Sequence, residues 1–261
     1  MSKRFLAPIA MGTALIAAPA AASIMQYDAN LTALNGSGVS GTASVFYDDT
    51  AGSLRLVVDA SGLYPNFVHP QHIHGPFADV DCEARAPAGS FLGGVCIDSS
   101  TNLDAQSPTI AQDIDGDGFV ETLEGAVTYG PIILNGATGL DAEGSPIFPT
   151  SNADGDLSFD YTYDLASTEL LFDSLFMVDH EPEDLLPLSL REFVIHGVFV
   201  QDGSGDMFEV TDDISNEYVM LLPAASGEFE FVGEVPVPEP GALGLLGLGM
   251  IGLAGLRKKL G

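Results

Sequence analysis

The sequence predicts an all-β protein, an antiparallel β-sandwich or barrel-like single domain with an inserted acidic region. Three observations carry that expectation. Short runs alternate apolar and polar residues, turns rich in glycine and asparagine punctuate them, and no long segment shows a helical period. Residues 41–47 alternate before the turn 48–52, and residues 53–59 alternate after it, which predicts a hairpin with one buried and one wet face. His72 and His74 fall on a short strand beyond it. Further strands are expected at 126–134, 157–163, 170–178, 192–200, 218–222 and 226–232. Spacing of this kind argues for a sandwich or barrel. No linker divides the run, so residues 23–235 read as one domain with a long insertion at 77–125.

The two ends have other roles. Lys3 and Arg4 precede an apolar stretch at 5–18, and Ala20, Ala21 and Ala22 supply the small residues of a signal-peptide cleavage site. The exported body is then 23–235. At the other end Pro238, Glu239 and Pro240 are followed by an apolar run at 241–256 and by Arg257, Lys258 and Lys259. The prolines keep the tripeptide extended, the apolar run enters hydrocarbon, and the basic triplet stays on the cytoplasmic side. Sixteen residues at about 1.5 Å each reach roughly 24 Å, a marginal transmembrane segment. This arrangement resembles the PEP-CTERM sorting signal of Gram-negative exported proteins. The resemblance implies recognition by an exosortase-type machinery, removal of the anchor, and delivery to the envelope, cell surface or extracellular matrix.

Charge separates sharply between body and ends. All five lysines and arginines outside Arg55, Arg85 and Arg191 lie in the sorting segments, whereas 36 of the 37 acids lie in the body, which carries a formal −33. Such a surface repels phosphates and excludes a nucleic-acid partner. It attracts divalent cations and basic surfaces. Cys82 and Cys96 are the only cysteines, and in an exported chain they read most simply as a disulfide, with a two-cysteine metal site as the weaker reading.

The hairpin, Ser61-Gly-Leu63 and His72-Ile-His-Gly75 resemble the start of a chordin-type (CHRD) domain. Residues 187–197, ending in His196-Gly197, with 222–228, resemble its end. The resemblance covers about residues 27–230 and implies an extracellular β-sandwich-like module of undefined activity. The 77–125 insertion departs from it.

The acidic insertion contains the sharpest motif. In Asp113-Ile-Asp-Gly-Asp-Gly-Phe-Val-Glu-Thr-Leu-Glu124, oxygen ligands fall at the first, third and fifth places as Asp113, Asp115 and Asp117. Gly118 allows the sharp turn, Phe119 offers its carbonyl, Glu121 acts through water, and Glu124 closes the site with two oxygens. This is the spacing of a twelve-residue calcium loop. Flanking helices are not expected, because 107–112 is short and 125–128 reads as strand. An acidic surface turn is the competing reading. An extracellular loop of this kind binds calcium at about 10⁻⁴ to 10⁻³ M.

The histidines form a second candidate. His72 and His74 lie two residues apart on one strand and so share a face, and His196 lies on another strand. They read either as hydrogen-bonded structural residues or as ligands for copper or zinc. The pattern is similar to Cu,Zn superoxide dismutase, but no histidine lies between Gly75 and Asp179 to supply that enzyme's bridging and zinc ligands. No nucleophile elbow, Walker loop, dinucleotide fingerprint or zinc-protease motif is present, and no catalytic residue is assigned. The expected function is a non-catalytic, calcium-stabilised envelope or matrix module that binds an extracellular polymer or envelope protein. The alternative is an exported copper or zinc protein.

Overall fold

Eleven strands and one short α-helix make up the described part of the chain. The structure, a computed structural model, describes residues 23–75, 104–174, 178–200 and 217–236. The chain divides into the body Ser23–Val235 and a second unit formed by Met1–Ala22 with Pro236–Gly261. The signal peptide at 1–22, Cys82 and Cys96, and Pro238, Glu239 and Pro240 with their apolar run lie outside the described residues. Among the described residues no helix is long and apolar enough to cross a membrane.

The expected all-β class is what the fold shows, in the form of a curled antiparallel sheet that makes a half-barrel. The predicted hairpin is β2 (Ser40–Asp48) and β3 (Ser53–Ser61), paired from Ser40↔Ser61 to Asp48↔Ser53. Leu54, Leu56 and Val58 are fully buried, while Arg55 and Asp59 face solvent, which is the alternation read from the sequence. On the outer side of β3 runs β6 (Leu157–Asp164), where Arg55 pairs with Asp160 at 2.6 Å.

The strand missed by periodicity is β1 (Ser23–Ala33). Its first six residues are all half-buried, so neither face is distinctly apolar and no alternation shows. Yet it is the hinge of the sheet. Met25 to Leu31 pair with β2, while Thr32 and Ala33 pair with Ser226 and Ala225 of β10 (Glu217–Glu228), and β11 (Glu230–Pro236) also pairs with β1. Beyond β10 lie β9 (Glu192–Val200), β4 (Gln71–His74) and β5 (Ile132–Asn135). The runs expected at 218–222 and 226–232 are thus joined. β10 continues through Pro223 with two register shifts, and its freed carbonyls at Pro223 and Ala224 accept from Asn35 Nδ2 and Leu34 N–H.

Two expectations fail for local reasons. Residues 125–129 are helix, not strand: α1 spans Thr122–Tyr129. Glu124 accepts the Glu121 N–H at 3.1 Å in the first turn, and Gly130, at φ 83°, ends the helix with its N–H on Ala126 O. These start and stop signals outweigh the β preference of Val127 and Thr128. Only 132–135 of the strand expected at 126–134 therefore forms as β5. The strand expected at 170–178 shrinks to β7 (Phe172–Asp173), paired with β8 (Val178–Asp179). The Leu170 carbonyl is taken by the backbone and side chain of Asn135, and Asp173 Oδ2 accepts the Ile132 N–H at 2.7 Å. Side chains here replace a ladder.

β4, β5 and nearly all of β9 are buried on both faces. Ile73, Phe193 and Ile195 face the main core, whereas Val194 lies on the other face under Ala126 and Tyr129 of α1. That helix follows the acidic loop and roofs the strands that carry the histidines.

Candidate functional site

The twelve-residue loop is arranged around its own carboxylates. Asp113 Oδ1 accepts the N–H groups of Gly116 at 2.7 Å and Asp117 at 3.1 Å, and its Oδ2 accepts that of Gly118 at 2.9 Å. Asp115 accepts Asp117 N–H, Asp117 accepts Phe119 N–H, and Glu124 Oε1 accepts Ile114 N–H at 2.6 Å, closing the loop's end onto its beginning. Gly118 holds φ at 97°, a value that strains any residue with a Cβ. Oxygens of Asp113, Asp115 and Glu124 lie within 4.8 Å of one another, as do those of Asp115, Asp117 and Glu121. α1 begins at Thr122, the tenth loop position, so a helix leaves the loop. Only a three-residue 3-10 turn, Ile110–Gln112, enters it.

Crowding of charge is the electrostatic signature. Glu121 is 2% exposed and its Oε1 has no hydrogen-bond partner. Burial first, then the hydrogen bond and charge of Glu124 and the charge of Asp117, push its carboxyl up to about 9. Asp117 is raised as well, chiefly by burial. The loop is anchored to the sheet by a residue that no motif marks. Asn35 occupies the type I′ turn after β1, with φ 52°. Its side chain accepts the Val120 N–H at 2.7 Å and donates to Val120 O and Pro223 O, both at 2.9 Å. Thr122 Oγ1 adds a 2.6 Å bond to Leu221 O.

His72 and His74, expected to share a face, do so, and His196 of β9 joins them there. β4 pairs with β9 from Gln71↔Ile195 to His74↔Glu192, which sets the two His-Gly signatures side by side. Ring centroids are 5.1 Å apart for His72 and His196, 5.4 Å for His72 and His74, and 6.2 Å for His74 and His196. One nitrogen from each lies within 4.8 Å of the others, and all three residues are buried. His74 Nδ1 lies 2.9 Å from Gly130 O and His196 Nδ1 lies 2.6 Å from Leu221 O, so both donate there and both leave Nε2 unprotonated. His72 Nδ1, His74 Nε2 and His196 Nε2 have no partner. Burial pushes His74 down to about 3 and His196 to about 4, and His72 is lowered by burial and by His196. His69 stands apart, with both ring nitrogens beside the carbonyls of His196 and Tyr64, and His180 lies 3.2 Å from Asp184.

Glu192, also overlooked by motif, is fully buried where Ser107 of the insertion donates to its carboxylate, and Ser226 donates to Ser107 at 3.0 Å. Burial pushes Glu192 up to about 7. The folded protein then holds a proton that the unfolded chain releases near pH 4.5, so this group's contribution falls as pH rises from 4.5 to 7. Glu192→Gln is expected to flatten that fall, gaining on the order of 2 kcal/mol over wild type at pH 8 and nothing at pH 4. Urea unfolding of both proteins across pH checks it, and parallel profiles would refute the assignment.

No curated protein matches the chain. The PEP-CTERM protein-sorting motif matches residues 236–259. That motif marks proteins exported to the cell envelope or surface of Gram-negative bacteria and processed by exosortase. This chain is therefore an exported protein sorted by exosortase.

Proposed function

We propose that the exported body is a non-catalytic surface module, chordin-type in its two neighbouring His-Gly signatures, whose insertion is locked to the sheet by calcium and whose anionic surface binds an extracellular polymer or envelope protein. One observation supports it above the others: a loop of calcium spacing gathers two groups of three carboxylates that share Asp115, and the most buried of the five residues, Glu121, has an oxygen without a partner. In a cation-free loop these charges repel, and burial holds the Glu121 carboxyl well above the ordinary carboxylate range. A calcium ion removes both costs, taking oxygens from Asp113, Asp115, Asp117, Glu121 and Glu124 and the Phe119 carbonyl. Exported proteins meet calcium in the medium, so the loop and α1 become rigid after export. The charge of the body then keeps it soluble and directs it to cations and basic surfaces.

The experiment is thermal unfolding with chelator and with 10 mM calcium. At a dissociation constant near 10⁻⁴ M that concentration stabilises by about 2.7 kcal/mol, which in a body of this size raises Tm by roughly 5–10 °C. Asp113→Ala combined with Glu124→Ala is expected to abolish the rise. A calcium response that persists in the double variant overturns the reading.

A further inference from the structure

We propose that His72, His74 and His196 form a closed three-nitrogen centre that binds one zinc or copper ion, separate from the calcium loop. Geometry supplies the argument. Three imidazoles from two paired strands turn toward a common point on the face roofed by α1, with one nitrogen of each within 4.8 Å of the rest. The nitrogens left without partners are His72 Nδ1, His74 Nε2 and His196 Nε2.

A buried polar nitrogen without a partner costs about 1–3 kcal/mol, so three gathered together are expensive unless one species satisfies all of them. The backbone has arranged for lone pairs to face inward. Gly130 O, at the C-terminal end of α1, and Leu221 O, in the strand beside His196, each take an Nδ1–H, which fixes the tautomer and leaves the Nε2 lone pair of His74 and of His196 free. This is how outer carbonyls orient histidine ligands around a metal.

The donor set selects the ion. Three imidazoles with no carboxylate in the cluster suit zinc or copper and disfavour calcium and magnesium. Metal–nitrogen bonds of about 2.0 Å put tetrahedral ligands roughly 3.3 Å apart, so the rings need close by only about 1.5 Å, within reach of small side-chain rotations. Tyr129 lies 4.6 Å from His74 and Phe148 lies 5.2 Å from His72, ring centre to ring centre, so aromatic rings close the cluster. With its ligands 1–5% exposed, the centre pins β4 to β9 and holds the ion away from solvent.

The test uses the full chain, stripped with chelator, saturated with calcium, incubated with zinc or with cuprous ion, and desalted. One equivalent of zinc or copper is expected to remain. X-ray absorption at that metal's edge is expected to show about three imidazole nitrogens near 2.0 Å. His72→Gln with His196→Gln should retain at least tenfold less, while Asp113→Ala with Glu124→Ala should retain the full equivalent, which separates this inference from the calcium reading. No retained metal, an oxygen-only shell, or equal retention by the histidine variant overturns it. If the histidine variant fails to melt cooperatively, the wild-type absorption spectrum alone decides.

Discussion

Asn35→Ala is expected to destabilise the body by about 3 kcal/mol, lowering Tm by roughly 6–12 °C, and to weaken calcium binding with it. The residue does three things at once. Its amide donates to Val120 O and Pro223 O, its carbonyl oxygen accepts the Val120 N–H, and its backbone sits at φ 52° in the turn that leaves β1. Alanine removes all three bonds, leaves the N–H of a residue only 3% exposed without its acceptor, and adds about 1 kcal/mol of left-handed strain. Val120 is the eighth residue of the twelve-residue acidic loop, so freeing it loosens the positions of Phe119 and Glu121 on either side. Asn35→Asp, which keeps the acceptor and tolerates the backbone, should fall between wild type and alanine. Thermal melts with and without calcium read both effects. A variant that melts within 1 °C of wild type and keeps its full calcium response would show that the loop is not anchored through this side chain.

Changing Pro238, Glu239 and Pro240 together to alanine is expected to have the largest effect of all, on location and not on folding. The sorting motif covers 236–259, and the tripeptide lies near its start. Without it, on the reading of 241–259 as an anchor proposed from the sequence, the chain stays in the inner membrane, because exosortase has nothing to read. Fractionated cells should then contain the chain only in the inner membrane, at the size of the unsorted precursor. The purified variant should melt as the wild type does, because the body ends before the motif. Normal delivery to the surface would contradict the assignment of the signal to these residues.

Residues with strong local chemistry were legible in the sequence. The β2–β3 hairpin was readable because one face is core and the other is water, so alternation survives in Leu54, Arg55 and Leu56. β9 was readable for a different reason, a continuous apolar run covered on both faces. The clustering of the carboxylates in the acidic loop followed from spacing alone, and so did the shared face of His72 and His74. Features set by distant chain segments were not readable. β1 is half-buried throughout its first six residues and has no period to detect. α1 was hidden by Val127 and Thr128, whose strand preference is overridden by Glu124 and Gly130 at the helix ends. Asn35 lies 85 residues from Val120 in the chain, and an Asn-Gly pair signals only a turn. Glu192 read as one acid among many, and its burial depends on Ser107, which the insertion brings to it.

On the proposed reading the insertion contains one built calcium site and not merely a share of a diffuse anionic surface. Equilibrium dialysis of the chelator-stripped chain against calcium, at an ionic strength high enough to screen surface charge, separates the two. One ion per chain is expected, bound in the sub-millimolar range and lost in Glu124→Gln. Several weak ions per chain, unchanged by that substitution, would contradict it.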